Sequence, residues 1–299
     1  MPVDHGRSRR SRVRIAAALT ISTAAVLAVS SCGSSGGTAE PAVTIPPSTS
    51  ERTSASASAT ASPAVTVPPA HAGFDYQIGG PYQPPAGVLV VSRDHGASPA
   101  VAIYNICYVN GFQAQPDAEQ EWDQDLLLRD QAGNVVYDTA WNEALLDIST
   151  DTKRQRIALK VDGWIDECAT KGFNAVEPDN YDSYTRSAGL LSAADAEAYQ
   201  SLLVAHAHGQ GLAIAQKNAA ELAPDRQRLG LDFAVVEQCG TYGECNRYTD
   251  AFGDSVFDVE YDEQGLQAAC TTWGTRISIV RRDLDVVPPS DPGYLRQTC

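Results

Sequence analysis

The sequence lacks any excess of basic residues, and beyond its N-terminal region it lacks long apolar runs. Its 22 Lys and Arg stand against 37 Asp and Glu, which gives a formal charge of −15 at pH 7. A nucleic-acid-binding protein needs a positive field to meet phosphates, so the charge argues against a nucleic-acid partner. After residue 31 no apolar run approaches the roughly 18 residues of a membrane span, which argues against a polytopic membrane protein.

Several catalytic and ligand-binding motifs are also missing. Residues 73–299 have no Gly-x-Ser-x-Gly nucleophile turn, and no glycine-rich phosphate turn follows the first apolar run of this region. No Cys-x-x-Cys pair is present, and no His lies at ligand spacing near a Cys. The sequence therefore predicts neither a metal site nor a cofactor.

The N-terminal region is typical of a secretory signal. A positive segment that ends at Arg14 is followed by an apolar stretch from Ile15 to Val29. The stretch ends in Val-Ser-Ser-Cys-Gly, which resembles the bacterial lipobox, so we expect residues 1–31 to be removed and Cys32 to be lipidated. The alternative is an ordinary signal cleaved near Ser31. Both place the domain outside the cell, either anchored by lipid to the outer face of the membrane or secreted.

Residues 32–72 form a segment of Ser, Thr, Ala, Pro and Gly with few large apolar side chains. Such a segment cannot offset its ordering entropy by burial, so we predict a flexible tether. Residues 73–299 are then one domain, predicted to be a monomer. Without residues 1–31 the chain carries 17 basic and 36 acidic residues, a formal −19. This charge favours a cationic partner, although acidity also serves solubility alone.

Six cysteines follow the tether, and an even number outside the cytoplasm indicates three disulfides. Fifteen pairings exist in principle. The short loop from Cys239 to Cys245 makes these two the best local pair. A Cys270–Cys299 bridge would then fix the C-terminal segment and leave Cys107 with Cys168, whereas a zinc site is the competing interpretation.

Eight apolar runs recur along the domain, and most end in polar residues. They cover residues 75–78, 88–94, 103–110, 175–180, 213–218, 233–238, 256–261 and 277–283. Near-continuous runs of this kind suit parallel strands buried on both faces. Helical patterns lie between several of them, including 152–171 and a segment that Ser192 and Asp195 would cap. The pattern predicts an α/β fold, a (β/α)8 TIM barrel, with a doubly wound sheet as the alternative.

In such a barrel the polar strand ends converge on one mouth. They would bring together Asp94, Tyr108, Asn110, Glu177, Asp179, Asn180, Lys217, Asn218, Glu237, Glu260, Tyr261, Arg282 and Asp283. Several carboxylates in one mouth indicate glycoside chemistry, which needs one carboxylate as nucleophile or base and another as proton donor. The alternative for each single carboxylate is to cap the helix that follows its strand.

Four strand-end motifs carry a resemblance to a known family. Glu177-Pro178-Asp179-Asn180 is followed by Asp182 and Tyr184, and then by Lys217-Asn218, Glu237-Gln238-Cys239 with Glu244-Cys245, and Val259-Glu260-Tyr261. This order resembles glycoside hydrolase family 114, the endo-α-1,4-polygalactosaminidases, over roughly residues 74–299. The resemblance implies a TIM barrel that cleaves α-1,4-linked galactosamine polymers internally.

The resemblance also implies roles for individual residues. Asp179 would be the nucleophile of a retaining mechanism, and Glu237 the acid and base. The other residues expected to bind the polysaccharide are Asp94, Tyr108, Glu177, Asn180, Tyr184, Lys217, Asn218, Glu260, Tyr261, Arg282 and Asp283. Two alternatives stay open: an α-glycosidase that acts on neutral galactosides, and a surface carbohydrate-binding protein without turnover. The presence of both carboxylates favours the enzyme.

Overall fold

The computed structural model describes residues 64–299. The predicted signal, Cys32 and the tether up to residue 63 lie outside the described residues. Residues 64–72, which the sequence assigns to the tether, contact the domain: Pro68 is buried, and the Tyr104 hydroxyl donates a hydrogen bond to Thr66 O at 2.7 Å. Within residues 64–299 no helix is both long and apolar enough to cross a membrane.

In the described part of the chain, nine strands form the main sheet and three form a smaller one. In chain order the strands are β1 (Phe74–Tyr76), β2 (Val90–Asp94), β3 (Tyr104–Asn110), β4 (Gln113–Ala114), β5 (Tyr137–Asp138), β6 (Glu143–Leu145), β7 (Ala175–Asp179), β8 (Ala213–Lys217), β9 (Phe233–Glu237), β10 (Val256–Glu260), β11 (Ser278–Arg282) and β12 (Arg296–Gln297). The main sheet has the order β1-β2-β3-β7-β8-β9-β10-β11-β12, with only β12 antiparallel. Its eight parallel strands coincide with the eight predicted runs, and the fold is a TIM barrel.

Six α-helices in residues 64–299 accompany the strands. They are α1 (Asp151–Lys171), α2 (Ala193–Gly209), α3 (Arg226–Leu229), α4 (Cys239–Tyr242), α5 (Cys245–Phe252) and α6 (Glu263–Trp273), with short 3-10 helices at Glu119–Glu121, Ser183–Arg186 and Ala220–Asp225. The two predicted helices are confirmed as α1 and α2, and Ser192 and Asp195 form the predicted capping box. Strands β1 and β2 are followed by loops, so the strand–helix alternation is incomplete. After β3 the chain forms the antiparallel sheet β4-β6-β5 before α1.

Alternation along the strands produces two apolar cores. Side chains at every second position fill the barrel interior, including Phe74, Ile106, Phe233, Phe257 and Val259. The intervening positions face the helices and join a larger cluster that contains Val109, Ile157, Ile165, Leu203 and Val236. Because the period in a strand is two, the last inward-facing residue of each strand points into the mouth of the barrel.

Side chains join the two ends of the parallel sheet. Asp75 of β1 lies 3.6 Å from Arg282 Nη1 of β11 and 3.2 Å from Arg296 Nε of β12. Arg296 also donates a hydrogen bond to Phe74 O at 2.9 Å. We call these contacts the β1 seam. It closes the barrel where strand-to-strand pairing stops.

The structure contains the three predicted disulfides. Cys107–Cys168 ties β3 to α1, Cys239–Cys245 links the starts of α4 and α5, and Cys270–Cys299 holds the C-terminal segment against α6. The first closes a loop of 61 residues, so it removes much chain entropy from the unfolded state.

Candidate active site

Three neighbouring strands end in the same way and carry the centre of the site. Asp179, Lys217 and Glu237 are the last residues of β7, β8 and β9. Each is followed by a residue in the left-handed region: Asn180 (φ 67°), Asn218 (φ 51°) and Gln238 (φ 62°). Asn adopts this conformation more readily than most residues, so these positions stop the strands at one level and leave the three charged side chains at the mouth.

Lys217 is the common partner of three carboxylates. Its Nζ lies 3.0 Å from Asp179 Oδ1, 3.3 Å from Glu177 Oε1 and 3.5 Å from Glu237 Oε2, and its side chain is 1% exposed. Burial alone would lower the pKa of Lys217. The negative charges of Asp179, Glu237 and Glu177 outweigh burial and hold this pKa well above its usual value, so the ammonium stays charged.

Asp179 is held in its ionised form. Tyr108 Oη donates a hydrogen bond to Oδ2 at 2.7 Å, and the backbone N–H of Asn180 donates one to Oδ1 at 2.7 Å. Burial opposes ionisation of Asp179, but the charge of Lys217 and these hydrogen bonds are stronger and lower its pKa below the usual value. The arrangement gives a carboxylate that is charged at neutral pH and partly open to the mouth.

Glu237 receives hydrogen bonds from two residues that the sequence analysis expects at the site. The Tyr261 hydroxyl donates to Oε1, and Asn218 Nδ2 donates to Oε2 at 3.3 Å. Asn218 Oδ1 also accepts the backbone N–H of Glu237 at 2.8 Å, so one amide side chain fixes both the strand end and the carboxylate. Tyr261 keeps its proton, because burial and then the charge of Glu237 raise its pKa well above the usual value.

Glu177 lies one layer below this pair and is fully buried. Tyr76 Oη donates to its Oε1 at 2.8 Å, and Ser92 Oγ donates to its Oε2 at 2.6 Å. Burial raises the pKa of Glu177, although Lys217 and these hydrogen bonds act in the other direction. The prediction that Glu177 and Lys217 contact substrate is wrong, since neither is accessible. They support the carboxylates above them.

The two carboxylates at the mouth are close enough to act on one bond. Lys217 Nζ is 3.0 Å from Asp179 Oδ1 and 3.5 Å from Glu237 Oε2, so these oxygens are at most 6.5 Å apart, the sum of 3.0 and 3.5. Carboxyl groups about 5–5.5 Å apart act as nucleophile and acid, whereas separations of about 6.5–9.5 Å leave room for a water molecule. The two carboxylates are therefore within the range in which a pair of carboxyl groups acts on one glycosidic bond.

The structure corrects the prediction for Glu260. This side chain is fully buried and faces the helices: its Oε1 accepts Gly240 N–H at 2.6 Å, and its Oε2 accepts the Thr241 hydroxyl at 2.8 Å. On β10 the inward positions are Phe257 and Val259, so Glu260 has the opposite parity. It binds the first turn of α4, the helix that follows the neighbouring strand β9, and not the helix after its own strand that the capping alternative predicts.

Arg282 and Asp283 also serve the fold. Arg282 is fully buried in the β1 seam, and it donates hydrogen bonds to Leu295 O at 2.9 Å and Val287 O at 2.8 Å. Asp283 accepts the backbone N–H groups of Val287 at 2.9 Å and Leu295 at 3.2 Å. The prediction that Arg282 binds substrate is therefore wrong, and Asp283 shapes the loop after β11.

Two further predicted residues lie in the loops that border the mouth. Asp94, at the end of β2, accepts the backbone N–H of Gly96 at 2.8 Å and so closes a turn. Tyr184, on the 3-10 helix after β7, donates a hydrogen bond to Glu221 and thereby connects the loops after β7 and β8. Contact of Asp94 and Tyr184 with substrate stays a prediction.

The sequence analysis missed Tyr76, Ser92 and Glu143. Tyr76 and Ser92 are inward-facing residues near the ends of β1 and β2, so strand parity would have indicated them. Glu143 begins β6 in the segment between β3 and α1, which has no regular pattern. Asn110 Nδ2 at 3.0 Å and Asn180 Nδ2 at 3.3 Å both donate to its Oε2, which brings a third carboxylate beside Asp179.

One group of potential metal ligands occurs in residues 64–299. The ligand atoms of Cys239, Cys245 and Asp258 lie within 4.8 Å of one another. The two sulfur atoms form a disulfide, so neither is a thiolate that could bind a metal ion.

Known proteins resemble this chain in family and in fold. The model of glycoside-hydrolase family GH114 matches residues 54–299. A crystal structure of Aspergillus fumigatus Ega3 in complex with galactosamine is 20% identical, with a TM-score of 0.64 over 79% of this chain and 99% of that chain. The glycoside hydrolase domain of PelA from Pseudomonas aeruginosa is 14% identical, with a TM-score of 0.49 over 76% of this chain and 97% of that one.

A search of curated protein sequences finds no significant match. The structural similarity to Ega3 supports the barrel, and the family match covers the whole barrel with all of its strand-end carboxylates. The chain belongs to glycoside hydrolase family 114 and is a glycoside hydrolase.

Proposed function

We propose that this enzyme cleaves α-1,4-linked galactosamine polymers internally, with retention of anomeric configuration. The observation that carries the proposal is the pair of carboxylates, Asp179 and Glu237, on either side of Lys217 at the mouth of a family 114 barrel. A retaining mechanism needs a charged nucleophile beside a proton donor at close range. Asp179 and Glu237 end alternate strands of the barrel, β7 and β9, and are the residues proposed for these two roles.

In this mechanism Asp179 attacks the anomeric carbon while Glu237 donates its proton to the leaving oxygen, which breaks the glycosidic bond and leaves a glycosyl ester on Asp179. Glu237 then takes a proton from water, and the resulting hydroxide attacks the same carbon and frees Asp179. Lys217 and Tyr108 keep Asp179 ionised before the attack. Tyr261 and Asn218 aim Glu237.

Charge supports galactosamine as the sugar. The domain is strongly acidic, and a polymer with free amines is cationic near neutral pH, so the two attract at long range. Ega3, which has the same fold, has been crystallised with galactosamine. Tyr108, Asn180, Asn218 and Tyr261 border the two carboxylates and are the residues proposed to contact the sugar, with Asp94 and Tyr184 farther along the rim.

The test is hydrolysis of partially deacetylated α-1,4-galactosaminan by the wild type and two variants. We expect internal cleavage and a first product of retained configuration by NMR. Asp179→Asn should lower turnover at least about 10³-fold, and Glu237→Gln about 10²–10⁴-fold. Asp254→Asn is the matched control, because Asp254 pairs with Arg276 just before β10 at the opposite end of the barrel. Cleavage of neutral galactan alone, or full turnover by Asp179→Asn, would contradict the proposal.

The cellular site is a separate proposal. Cys32 carries a lipid, and the segment that follows holds the domain outside the membrane. Changing Cys32 to Ala should release the enzyme from the membrane fraction with its specific activity unchanged. Continued membrane retention of the Cys32→Ala protein would count against lipid anchoring.

A further inference from the structure

Glu143 differs from the other carboxylates of the site in the type of partner it has. Asp179 pairs with Lys217 at 3.0 Å, and Asp138 pairs with Arg186 at 2.6 Å. Among residues 64–299 no Lys, Arg or His forms an ion pair with Glu143. Its partners are the amide groups of Asn110 and Asn180, which bind the carboxylate but do not neutralise its charge.

The two oxygens of Glu143 are used differently. Both amides donate to Oε2, whereas Oε1 accepts no hydrogen bond from the described residues. The side chain is partly exposed, so Oε1 remains accessible. The carboxylate is therefore oriented through one oxygen, and the other is available to a ligand.

The position of Glu143 relative to the nucleophile is set by one residue. Asn180 donates its backbone N–H to Asp179 Oδ1 and its side-chain amide to Glu143 Oε2. The amine of a galactosamine unit is on C2, directly beside the anomeric carbon that Asp179 attacks. Asn180 thus bridges Glu143 and Asp179, and Glu143 is in the region where that amine has to be bound.

Electrostatics make this carboxylate receptive to a cation. Burial raises the pKa of Glu143 to about 7, the amide groups of Asn110 and Asn180 lower it, and the charges of Asp179 and Asp138 raise it further. An ammonium group would relieve the uncompensated charge and restore full ionisation. A neutral hydroxyl group would do neither.

We propose that Glu143 is the specificity residue of the site, and that its free oxygen binds the 2-ammonium group of the sugar unit at Asp179. The proposal rests on the proposed function, since it names how the same site selects an amino sugar. The segment β4–β6 then supplies the recognition element, while the barrel strands supply the chemistry.

The test measures binding separately from hydrolysis. In a Glu237→Gln background, which keeps oligosaccharides intact, calorimetry compares α-1,4-galactosamine oligosaccharide with its fully N-acetylated form at low salt. We expect Glu143→Gln to weaken binding of the amine form about tenfold and binding of the acetylated form less than twofold. Glu143→Asp should keep part of the preference, and Glu121→Gln, the same charge change at an exposed site, should keep all of it.

Each outcome of the binding experiment either supports or contradicts the proposed role of Glu143. An unchanged preference for the amine form in Glu143→Gln would overturn the proposal, as would equal losses with both ligands or no preference in the parent chain. Thermal unfolding of each variant excludes misfolding as the cause of weaker binding. Hydrolysis by the wild type is scored independently, so a chain that binds the amine form through Glu143 but does not cleave it refutes the proposed function alone.

Discussion

Replacing Lys217 by Met should destabilise the enzyme strongly. The variant keeps the apolar stem but leaves Glu177, Asp179 and Glu237 without the cation that now lies 3.0–3.5 Å from each. Removing one partner of a buried ion pair costs about 3–5 kcal/mol, because the remaining charge stays in a poorly solvating environment. For a domain of this size, that loss lowers the melting temperature by about 10 °C.

A second substitution distinguishes charge imbalance from lost packing. Glu177 is fully buried, so in Lys217→Met it has to be protonated or remain unpaired. Adding Glu177→Gln removes that carboxylate and should recover about 1–2 kcal/mol of the loss, a coupling that a double-mutant cycle measures. Activity should not recover in the double variant, since Asp179 still lacks the charge that lowers its pKa.

The loss of stability in Lys217→Met should increase with pH. Without Lys217 the buried carboxylates have raised pKa values in the folded state, so ionising them opposes folding, and that penalty grows as pH rises through those values. Urea unfolding should therefore show a larger difference between Lys217→Met and the wild type at pH 8 than at pH 5. An unchanged unfolding midpoint, or further destabilisation by Glu177→Gln, would refute the central role of Lys217.

Three other substitutions test the roles of Glu260, Gly265 and Glu143. Glu260→Gln should lower the free energy of unfolding by about 1–3 kcal/mol and leave KM unchanged, because it alters a buried acceptor of backbone N–H groups on the helix-facing side of the sheet; a changed KM with normal stability would restore a binding role. Gly265→Ala should destabilise the domain similarly, since its Cβ would lie 2.0 Å from Glu260 Oε2, and unfolding by circular dichroism would reveal any tolerance. Glu143→Gln should stabilise the ligand-free enzyme at pH 8 and not at pH 4.5, because a carboxyl whose pKa rises from 4.5 to about 7 on folding opposes folding only when ionised. At about 1.4 kcal/mol per pH unit, this rise in pKa corresponds to a gain of about 3 kcal/mol in the free energy of unfolding, which solvent screening reduces to about 1–2 kcal/mol. Equal gains at both pH values would contradict the raised pKa of Glu143.

The sequence predicted the barrel because its eight strands are buried on both faces and read as near-continuous apolar runs. The same runs located Asp179 and Glu237, since both directly end a strand. The polar ends of the runs alone predict Glu260 at the mouth, but strand parity excludes it. Val259 pairs with Glu237 in the sheet and shares its face, so the next residue faces the helices. Strand parity would also have indicated Tyr76.

The positions of two other residues could not be predicted from the local sequence pattern. Glu143 comes from a segment of short strands with no helix or strand period, and only its long-range hydrogen bonds to Asn110 and Asn180 bring it to the site. Arg282 ends its strand as Asp179 and Glu237 do, but this strand, β11, is the last parallel strand of the sheet. There its guanidinium closes the barrel, which sequence position alone does not reveal.

The β1 seam implies an order in which heat disables the enzyme. Strand β1 has three residues, and along its backbone it is paired with β2 alone, so its other edge depends on side-chain contacts with Arg282 and Arg296. Such an edge opens at lower free energy than the central strands. Tyr76 belongs to β1 and donates a hydrogen bond to Glu177 beneath Asp179 and Lys217, so detachment of β1 disturbs this hydrogen-bond network first. On heating, activity should therefore decay before the remainder of the barrel melts.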